Sequence, residues 1–364
     1  MLNIKKQIRH LYASSIVSMI SLSGAWVAIL ASRGFSLAQI GFAETVFHIA
    51  SLLFEIPSGV IADVFGRKRA LLLSCFMRII ADLAMIFSNN FALVCLSMVF
   101  TALNYNFASG SDEALAYDSL KLVGQEDTFD RYASNGVLIY RICEGLSTLA
   151  AGLSLKVGYK IAYGTSIPLA FLQIAIVLRL EEITFTEGKE IKKESLGKQI
   201  LLCFKKSLSF LKADKKTLLL MFSNSFVGAM DILLVFFLQA KLPAAGIPTW
   251  ALGIALLSVQ AGGILGAKLA LYIKGFCYKA IFTFSLLTIL LGITLEHTGL
   301  YLVMTLGGFI AALADDLLQV RTNTLLQEAF PSEQRATLIS VESFSYSLIM
   351  IVLSPLAGIF FEWW

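Results

Sequence analysis

Acidic and basic side chains interrupt apolar stretches along the whole sequence, and they are the residues that could do chemistry there. An ionisable group within a hydrophobic segment is expensive to bury, so it usually faces protein or water and belongs to a pathway for a substrate or a proton. An acid shielded from water keeps its proton to a higher pH and can load and release it near neutral pH. The side chains of this kind are Glu44, His48, Glu55, Arg78, Asp82, Asp112, Glu113, Asp118, Arg141, Glu144, Asp231, Lys268, Asp315, Asp316 and Glu342.

Two opposite-charge pairs in this set fall at helical spacing. Arg78 and Asp82 are four residues apart, and Arg141 and Glu144 are three apart. Each pair can therefore form along its own helix. The alternative role for any one of these charges is structural, because a paired charge can hold helices together without touching a substrate.

The amino-acid composition indicates the kind of protein in which these charges lie. The chain has 364 residues, of which 57% are hydrophobic and 15% charged, whereas soluble domains carry roughly 25% charged residues. Disordered, collagen-like and disulfide-framework proteins are excluded, and a soluble enzyme is disfavoured. The net charge of +4 is small for a nucleic-acid-binding protein, and the five cysteines are scattered with no CxxC. We expect no nucleic-acid partner, no metal site and no cofactor.

Apolar runs divide the chain into about eleven segments, each long enough to cross ~30 Å of hydrocarbon as a helix. We therefore predict an all-α polytopic membrane protein. The runs are 11–32, 38–61, 70–88, 91–116, 133–155, 160–179, 217–240, 249–273, 277–295, 300–322 and 337–361.

Basic residues between the segments set the orientation. With the N-terminus inside, 22 Lys and Arg residues lie on the cytoplasmic side and four on the outer side. This asymmetry follows the positive-inside rule. We predict a multi-pass protein of the plasma membrane with a cytoplasmic N-terminus.

A basic loop and an internal repeat divide the chain into two halves. The run Leu146–Ala150 recurs as Leu353–Ala357, and the same offset of 207 carries Gly59 onto Gly266. We predict a six-helix bundle over 1–180, a cytoplasmic linker with a basic amphipathic helix over 181–216, and a five-helix bundle over 217–364. The two halves would be pseudo-symmetric six-helix bundles, with the last helix of the second apparently missing.

The loop after the second segment carries a sequence motif, Gly59-Val60-Ile61-Ala62-Asp63-Val64-Phe65-Gly66-Arg67-Lys68-Arg69. Gly59 would let one helix approach another closely, and Gly66 would permit a sharp reversal. Asp63 could accept hydrogen bonds from a helix N-terminus. The basic residues could bind anionic lipid headgroups and pair with Asp63.

This motif resembles the loop signature of the major facilitator superfamily, G-x-x-x-D-x-x-G-R-[KR]-[KR]. The resemblance implies two six-helix halves that give alternating access to a central cavity. It also implies that Gly59, Asp63, Gly66, Arg67 and Lys68 form a gating latch, not a substrate site. The family's third helix is peripheral, which implies a structural role for Arg78 and Asp82. The segments that line its cavity would place these residues at the substrate or proton site: Asp112, Glu113, Arg141, Glu144, Asp231, Asp315 and Glu342.

The resemblance implies a monomeric secondary transporter in the lipid bilayer and not an enzyme. Our first hypothesis is export of a small amphiphilic, drug-like compound coupled to protons, similar to bacterial efflux members. Uptake of a small polar solute by proton symport is the alternative. It would use polar groups such as Asn104, Asn106, Gln239, Gln260, Gln319 and Asn323. A membrane receptor or scaffold that transports nothing is the third.

Overall fold

Helices make up all the regular secondary structure of the described residues. The computed structural model describes residues 2–183, 215–273, 275–329 and 335–363. The predicted amphipathic helix of the linker lies outside these ranges.

The first part of the chain forms ten α-helices and one 3₁₀ turn, Glu126–Thr128, which precedes α7. The helices are α1 (Ile4–Met19), α2 (Trp26–Ser32), α3 (Leu37–Phe65), α4 (Arg67–Ile86), α5 (Phe91–Ala108), α6 (Ser111–Leu122), α7 (Phe129–Leu149), α8 (Ala151–Val157), α9 (Tyr159–Gly164) and α10 (Ser166–Leu178).

Five further helices follow in the described part of the chain. They are α11 (Lys215–Ala244), α12 (Thr249–Leu269), α13 (Tyr278–Glu296), α14 (Tyr301–Ala329) and α15 (Arg335–Trp363). Within the described ranges, eight helical stretches are long and apolar enough to cross a membrane, and α7 with α8, bent by 46°, would be a ninth. The remaining two predicted spans correspond to α1 with α2 and to α4. The all-helical, multi-pass fold is confirmed.

Small residues allow the helices of the second part to pack closely. A Cβ added at Gly262 or Gly266 of α12 would collide with the main-chain carbonyl of Phe309 or Leu313 of α14. Only glycine fits where two backbones approach this closely, which is a common basis of helix association in membranes. The same close contact also determines the position of Asp315 and Asp316 of α14 relative to α12.

The described residues separate into two compact units. The first holds 2–24, 49–150 and 157–183, and the second holds 25–48, 151–156 and the residues from 215 onward. The first has a core around Leu11, Leu71, Leu115 and Val177. The core of the second includes Val227, Leu234, Ile281, Ile289 and Leu318. Because residues 25–48 and 151–156 pack with the second unit, the units do not coincide with the predicted halves, and the boundaries at 180 and 217 stay a prediction.

Candidate functional site

The loop between α3 and α4 carries the predicted latch residues. Asp63 pairs with the guanidinium of Arg67 one helical turn later. Gly66 sits between the two helices at a φ of 104° and a ψ of 150°, a conformation that is essentially open only to glycine. Gly59 behaves differently from its prediction, because an added Cβ would meet no described atom within 4 Å. The close helix approach expected at Gly59 is therefore not made in this structure.

Glu182, just beyond α10, accepts the hydrogen bonds that the sequence analysis assigned to Asp63. Its two carboxylate oxygens bind the main-chain amides of Arg67 at 2.9 Å and Lys68 at 3.0 Å. These amides have no partner within α4, so a carboxylate there satisfies them and meets the positive end of the helix dipole. Lys68 Nζ also donates to the carbonyl of Leu178 at 2.9 Å. The latch loop is thus tied to the end of α10.

Asp112 and Glu113 occupy the first turn of α6. The helical span 91–122 is interrupted at Ser109 and Gly110, and Gly110 lies in the left-handed region with a φ of 72°. Asp112 Oδ1 accepts a hydrogen bond from the main-chain amide of Glu113 at 2.9 Å. Carboxylates are favoured at the N-terminal end of a helix, where the helix dipole is positive. The new helix start created by the break therefore stabilises both acids electrostatically.

Arg141 and Glu144 form the intrahelical pair that their spacing predicts, at 3.4 Å on α7. The side chains are 59% and 32% exposed within the chain. Tyr140 donates to Glu144 at 3.4 Å. The pair is therefore accessible, and nothing buries it in the first unit.

Arg78 and Asp82 are buried on α4, where the guanidinium and carboxylate approach to 4.0 Å. Arg78 also donates to the main-chain carbonyls of Ser18 at 3.0 Å and Val17 at 3.3 Å. These carbonyls lie at the end of α1, where the helix leaves acceptors without an internal partner. Arg78 therefore ties α4 to the break between α1 and α2.

Asn106 is also used inside the first unit. Its amide accepts from Ser51 Oγ at 2.8 Å and donates to the Ser51 carbonyl at 2.7 Å. This reciprocal bond locks α5 to α3 in a buried position. Asn106 was considered as a solute contact, and the structure instead satisfies its amide within the protein.

The second unit contains a polar cavity of about 220 Å³ between α11, α14 and α15. Of the predicted site residues, Asp315 and Glu342 line it. Asn224 donates to Glu342 at 3.3 Å, which joins α11 to α15. No lysine or arginine lines it among the described side chains; the lining is Asn224, Ser225, Gly228, Asp315, Gln319, Glu342, Ser343 and Tyr346.

Asp231 lies deeper on α11, near enough to Asp315 and Asp316 for their charges to act on it. Its Oδ1 is buried and has no hydrogen-bond partner within the described ranges. Neither Asp231 nor Asp315 has a basic side chain within 4 Å in the described part of the chain. A carboxylate oxygen that is buried without a partner is strongly disfavoured, so Asp231 needs a proton or a nearby cation.

Glycines make room for this acidic group. A Cβ at Gly228 of α11 would lie 3.5 Å from Asp315 Oδ1, and a Cβ at Gly263 of α12 would collide with Asp316 Oδ2. The Asp316 carboxyl group therefore occupies space that a side chain at position 263 would fill, whereas the contact at Gly228 is an ordinary van der Waals distance. Among the residues described, no group of three or more His, Cys, Asp or Glu has the arrangement of a metal site.

His48 and Glu44 form a second polar group beside the cavity. The imidazole Nε2 lies 3.3 Å from Glu44 one turn earlier on α3, and both side chains are nearly buried. Its Nδ1 lies 3.4 Å from Ser347 Oγ on α15, and its ring contacts that of Tyr346 edge-on. Because Tyr346 lines the cavity, the His48–Glu44 pair is connected to the cavity through the Tyr346 side chain.

Glu296, Lys241 and His297 lie near one another at the ends of α11 and α13. Glu296 is 1% exposed, and neither carboxylate oxygen has a described hydrogen-bond partner. Lys241 Nζ lies 5.1 Å from the ring centre of Phe361, and His297 stacks on the same ring. Burial lowers the pKa of His297, and the nearby Lys241 lowers it further. Hydropathy alone could not show that Phe361 packs against Lys241 and His297.

Comparisons with known proteins agree with this architecture. The family model of the Major Facilitator Superfamily matches residues 11–121. An uncharacterized MFS-type transporter, YxaM of Bacillus subtilis (strain 168), is 28% identical over 213 residues, 57% of this chain and 50% of that protein. The match thus spans about half the length of this curated relative.

Solved structures with the same fold cover nearly the whole chain. The nucleoside transporter NupG superposes with a TM-score of 0.71 at 15% identity, over 98% of this chain and 91% of NupG. A D-xylose-proton symporter gives a TM-score of 0.63 at 12% identity, over 96% of this chain and 88% of that one. These identities bear on the fold alone. The family model over residues 11–121, the MFS-type relative and the fold shared along nearly the whole chain all point to the Major Facilitator Superfamily.

Proposed function

We propose that this protein is a secondary active transporter that exports a small amphiphilic cation in exchange for protons by alternating access. The observation that carries the proposal is a pair of half-buried acids, Asp231 and Asp315, next to a cavity with no basic lining residue among those described. Either a proton or an organic cation would compensate the charge of these acids. When two cations compete for the same carboxylates, release of one accompanies binding of the other, which is the requirement for exchange.

The remaining cavity residues have roles consistent with this exchange. Glu342 and its partner Asn224 would hold the polar end of the solute, and Tyr346 would offer a ring face to a cationic group. A cavity of about 220 Å³ is smaller than typical drug-sized pockets of roughly 300–1,000 Å³. We therefore expect it to receive the charged end of a solute and not the whole molecule.

Symport of a small polar solute is the second candidate. It is favoured by the amide and hydroxyl groups of Asn224, Ser225 and Gln319 in the same cavity. The D-xylose-proton symporter with the same fold is a protein of that kind. In this candidate the solute would bind together with the proton instead of replacing it.

Proton flux in proteoliposomes tests both candidates. The purified chain would be challenged with amphiphilic cations and, separately, with neutral sugars and nucleosides, while a trapped dye reports pH. Exchange predicts proton movement opposite to the cation, lost in Asp315→Asn. The matched control is Asp127→Asn, which removes an exposed acid outside the cavity. Proton movement in the same direction as a neutral solute would favour symport. Cation-driven flux unchanged in Asp315→Asn would contradict both candidates.

A further inference from the structure

A basic cavity in the first unit, separate from the acidic cavity, has no role in the proposed transport. It has a volume of about 340 Å³ and lies between the start of α1 and the start of α7. Three cationic side chains line it: Lys5 and Arg9, one turn apart on α1, and Arg131 on α7. This volume lies within the range of small-molecule sites.

The cations of this cavity are available to a ligand. None of the three has a carboxylate within 4 Å in the part of the chain that the structure describes. The acids Glu126 and Asp127 are nearby in sequence but do not line the cavity, whereas Gln125 and Thr128 do. The lining thus combines three positive charges with one amide and one hydroxyl group. These hydrogen-bond donors could bind the oxygen atoms of a phosphate group.

The rest of the cavity lining is apolar. Ile4, Ile8 and Leu120 contribute this part. A free inorganic anion would gain nothing from these side chains, whereas the glycerol and first acyl carbons of a phospholipid would pack against them. The proposed orientation places this end of α1 and α7 at the cytoplasmic leaflet, where anionic lipids concentrate and where basic pockets between helices bind their headgroups.

We propose that Lys5, Arg9 and Arg131 form a binding site for the phosphodiester headgroup of an anionic phospholipid. The lipid would bridge α1 and α7, because its phosphate would receive hydrogen bonds from both helices. Binding at this site would hold the two helices together at one face of the membrane. The proposal does not depend on the direction of transport or on the coupling ion.

Native mass spectrometry of the full chain, released from detergent with added lipid, tests the site. The probes are phosphatidylglycerol, phosphatidylcholine and inorganic phosphate. Wild type should retain phosphatidylglycerol over phosphatidylcholine, and each neutralised side chain should weaken binding about fivefold. The triple variant Lys5→Gln, Arg9→Gln, Arg131→Gln should lose the preference.

A matched triple variant separates a built site from general surface charge. Lys6→Gln, Lys215→Gln, Lys279→Gln removes the same charge from exposed lysines outside the cavity. Retained preference in this control, with loss in the cavity variant, supports the proposal. Equal loss in both variants would overturn it. Inorganic phosphate that competes as well as the lipid would also overturn the assignment to a phospholipid.

Discussion

The Glu182 carboxylate binds the main-chain amide of Arg67 at 2.9 Å across 115 residues of sequence. It therefore holds the first turn of α4 against the end of α10, while Asp63 remains available to pair with the Arg67 side chain. Two roles were predicted for Asp63 from the sequence. In the structure Glu182 accepts the main-chain hydrogen bonds, and Asp63 forms the ion pair with Arg67. Glu182 is the residue that keeps the latch loop in place.

Removal of the Glu182 carboxylate should loosen this loop. In Glu182→Ala we expect a loss of about 0.5–2 kcal/mol of stability, the range measured for lost helix caps. Glu181→Ala is the matched control, because the described hydrogen bonds of Glu181 use its main chain only. Thermal unfolding in detergent measures the difference. Equal melting temperatures for the two variants would refute a capping role.

The two glycines of the latch motif should respond differently to alanine. Gly66→Ala places a side chain at a φ of 104° and drives its Cβ into the Glu182 carboxylate. We expect it to cost about 1–3 kcal/mol, typical of a residue forced into such a conformation. Gly59→Ala meets no described atom within 4 Å and should be close to neutral. Thermal unfolding of both variants checks this order, and a reversed order would contradict the structure of the loop.

Lys241 and Glu296 should be energetically coupled. Each single change, Lys241→Met or Glu296→Gln, leaves the other charge buried without its counterpart, whereas the double variant removes both charges. We expect a coupling energy of about 0.5–3 kcal/mol from a double-mutant cycle of unfolding free energies. Strictly additive effects would show that the two groups do not interact.

The half-buried His297 should make stability depend on pH. Its folded pKa is lowered from 6.5, so the unfolded chain binds more protons than the folded one below about pH 6.5, and stability falls as the pH falls. Thermal unfolding between pH 7.5 and pH 5, values chosen around the ordinary histidine pKa of ~6.5, measures this loss. His297→Gln should flatten the profile. The same slope in this variant would assign the effect to another group.

The sequence alone was sufficient to predict the membrane-spanning helices and to identify the acidic residues within those of the second unit. Hydropathy locates a helix wherever ~20 apolar residues follow one another, and Asp231 and Asp315 are conspicuous inside such runs. Their convergence beside one cavity depends on how α11 and α14 pack, which glycines at Gly228 and Gly263 permit. That packing is a tertiary property that no single run of sequence contains.

The sequence alone could not predict that Glu182 caps α4 or that Glu296 is buried. Both features were found only in the structure. Glu181 and Glu182 form an acidic pair directly after the sixth span, on a side that is otherwise basic, and this contrast was the available signal. No comparable signal marks Glu296, because its burial depends on tertiary packing; the nearby Lys241 and His297 contact Phe361, which is 65 positions from Glu296 in the sequence. A boundary set by hydropathy places such a residue in water, while a neighbouring helix covers it.

The most direct test of the account compares solute exchange with proton-driven accumulation in Asp231→Asn. Asp231 lies behind the cavity and does not line it, so a solute cation can still bind at Asp315, and the variant should still exchange labelled solute for unlabelled solute across the membrane. It should lose accumulation driven by a proton gradient, because the proposed proton carrier is gone. Wild-type accumulation in this variant would contradict the central claim that the half-buried carboxyls of α11 and α14 couple transport to protons.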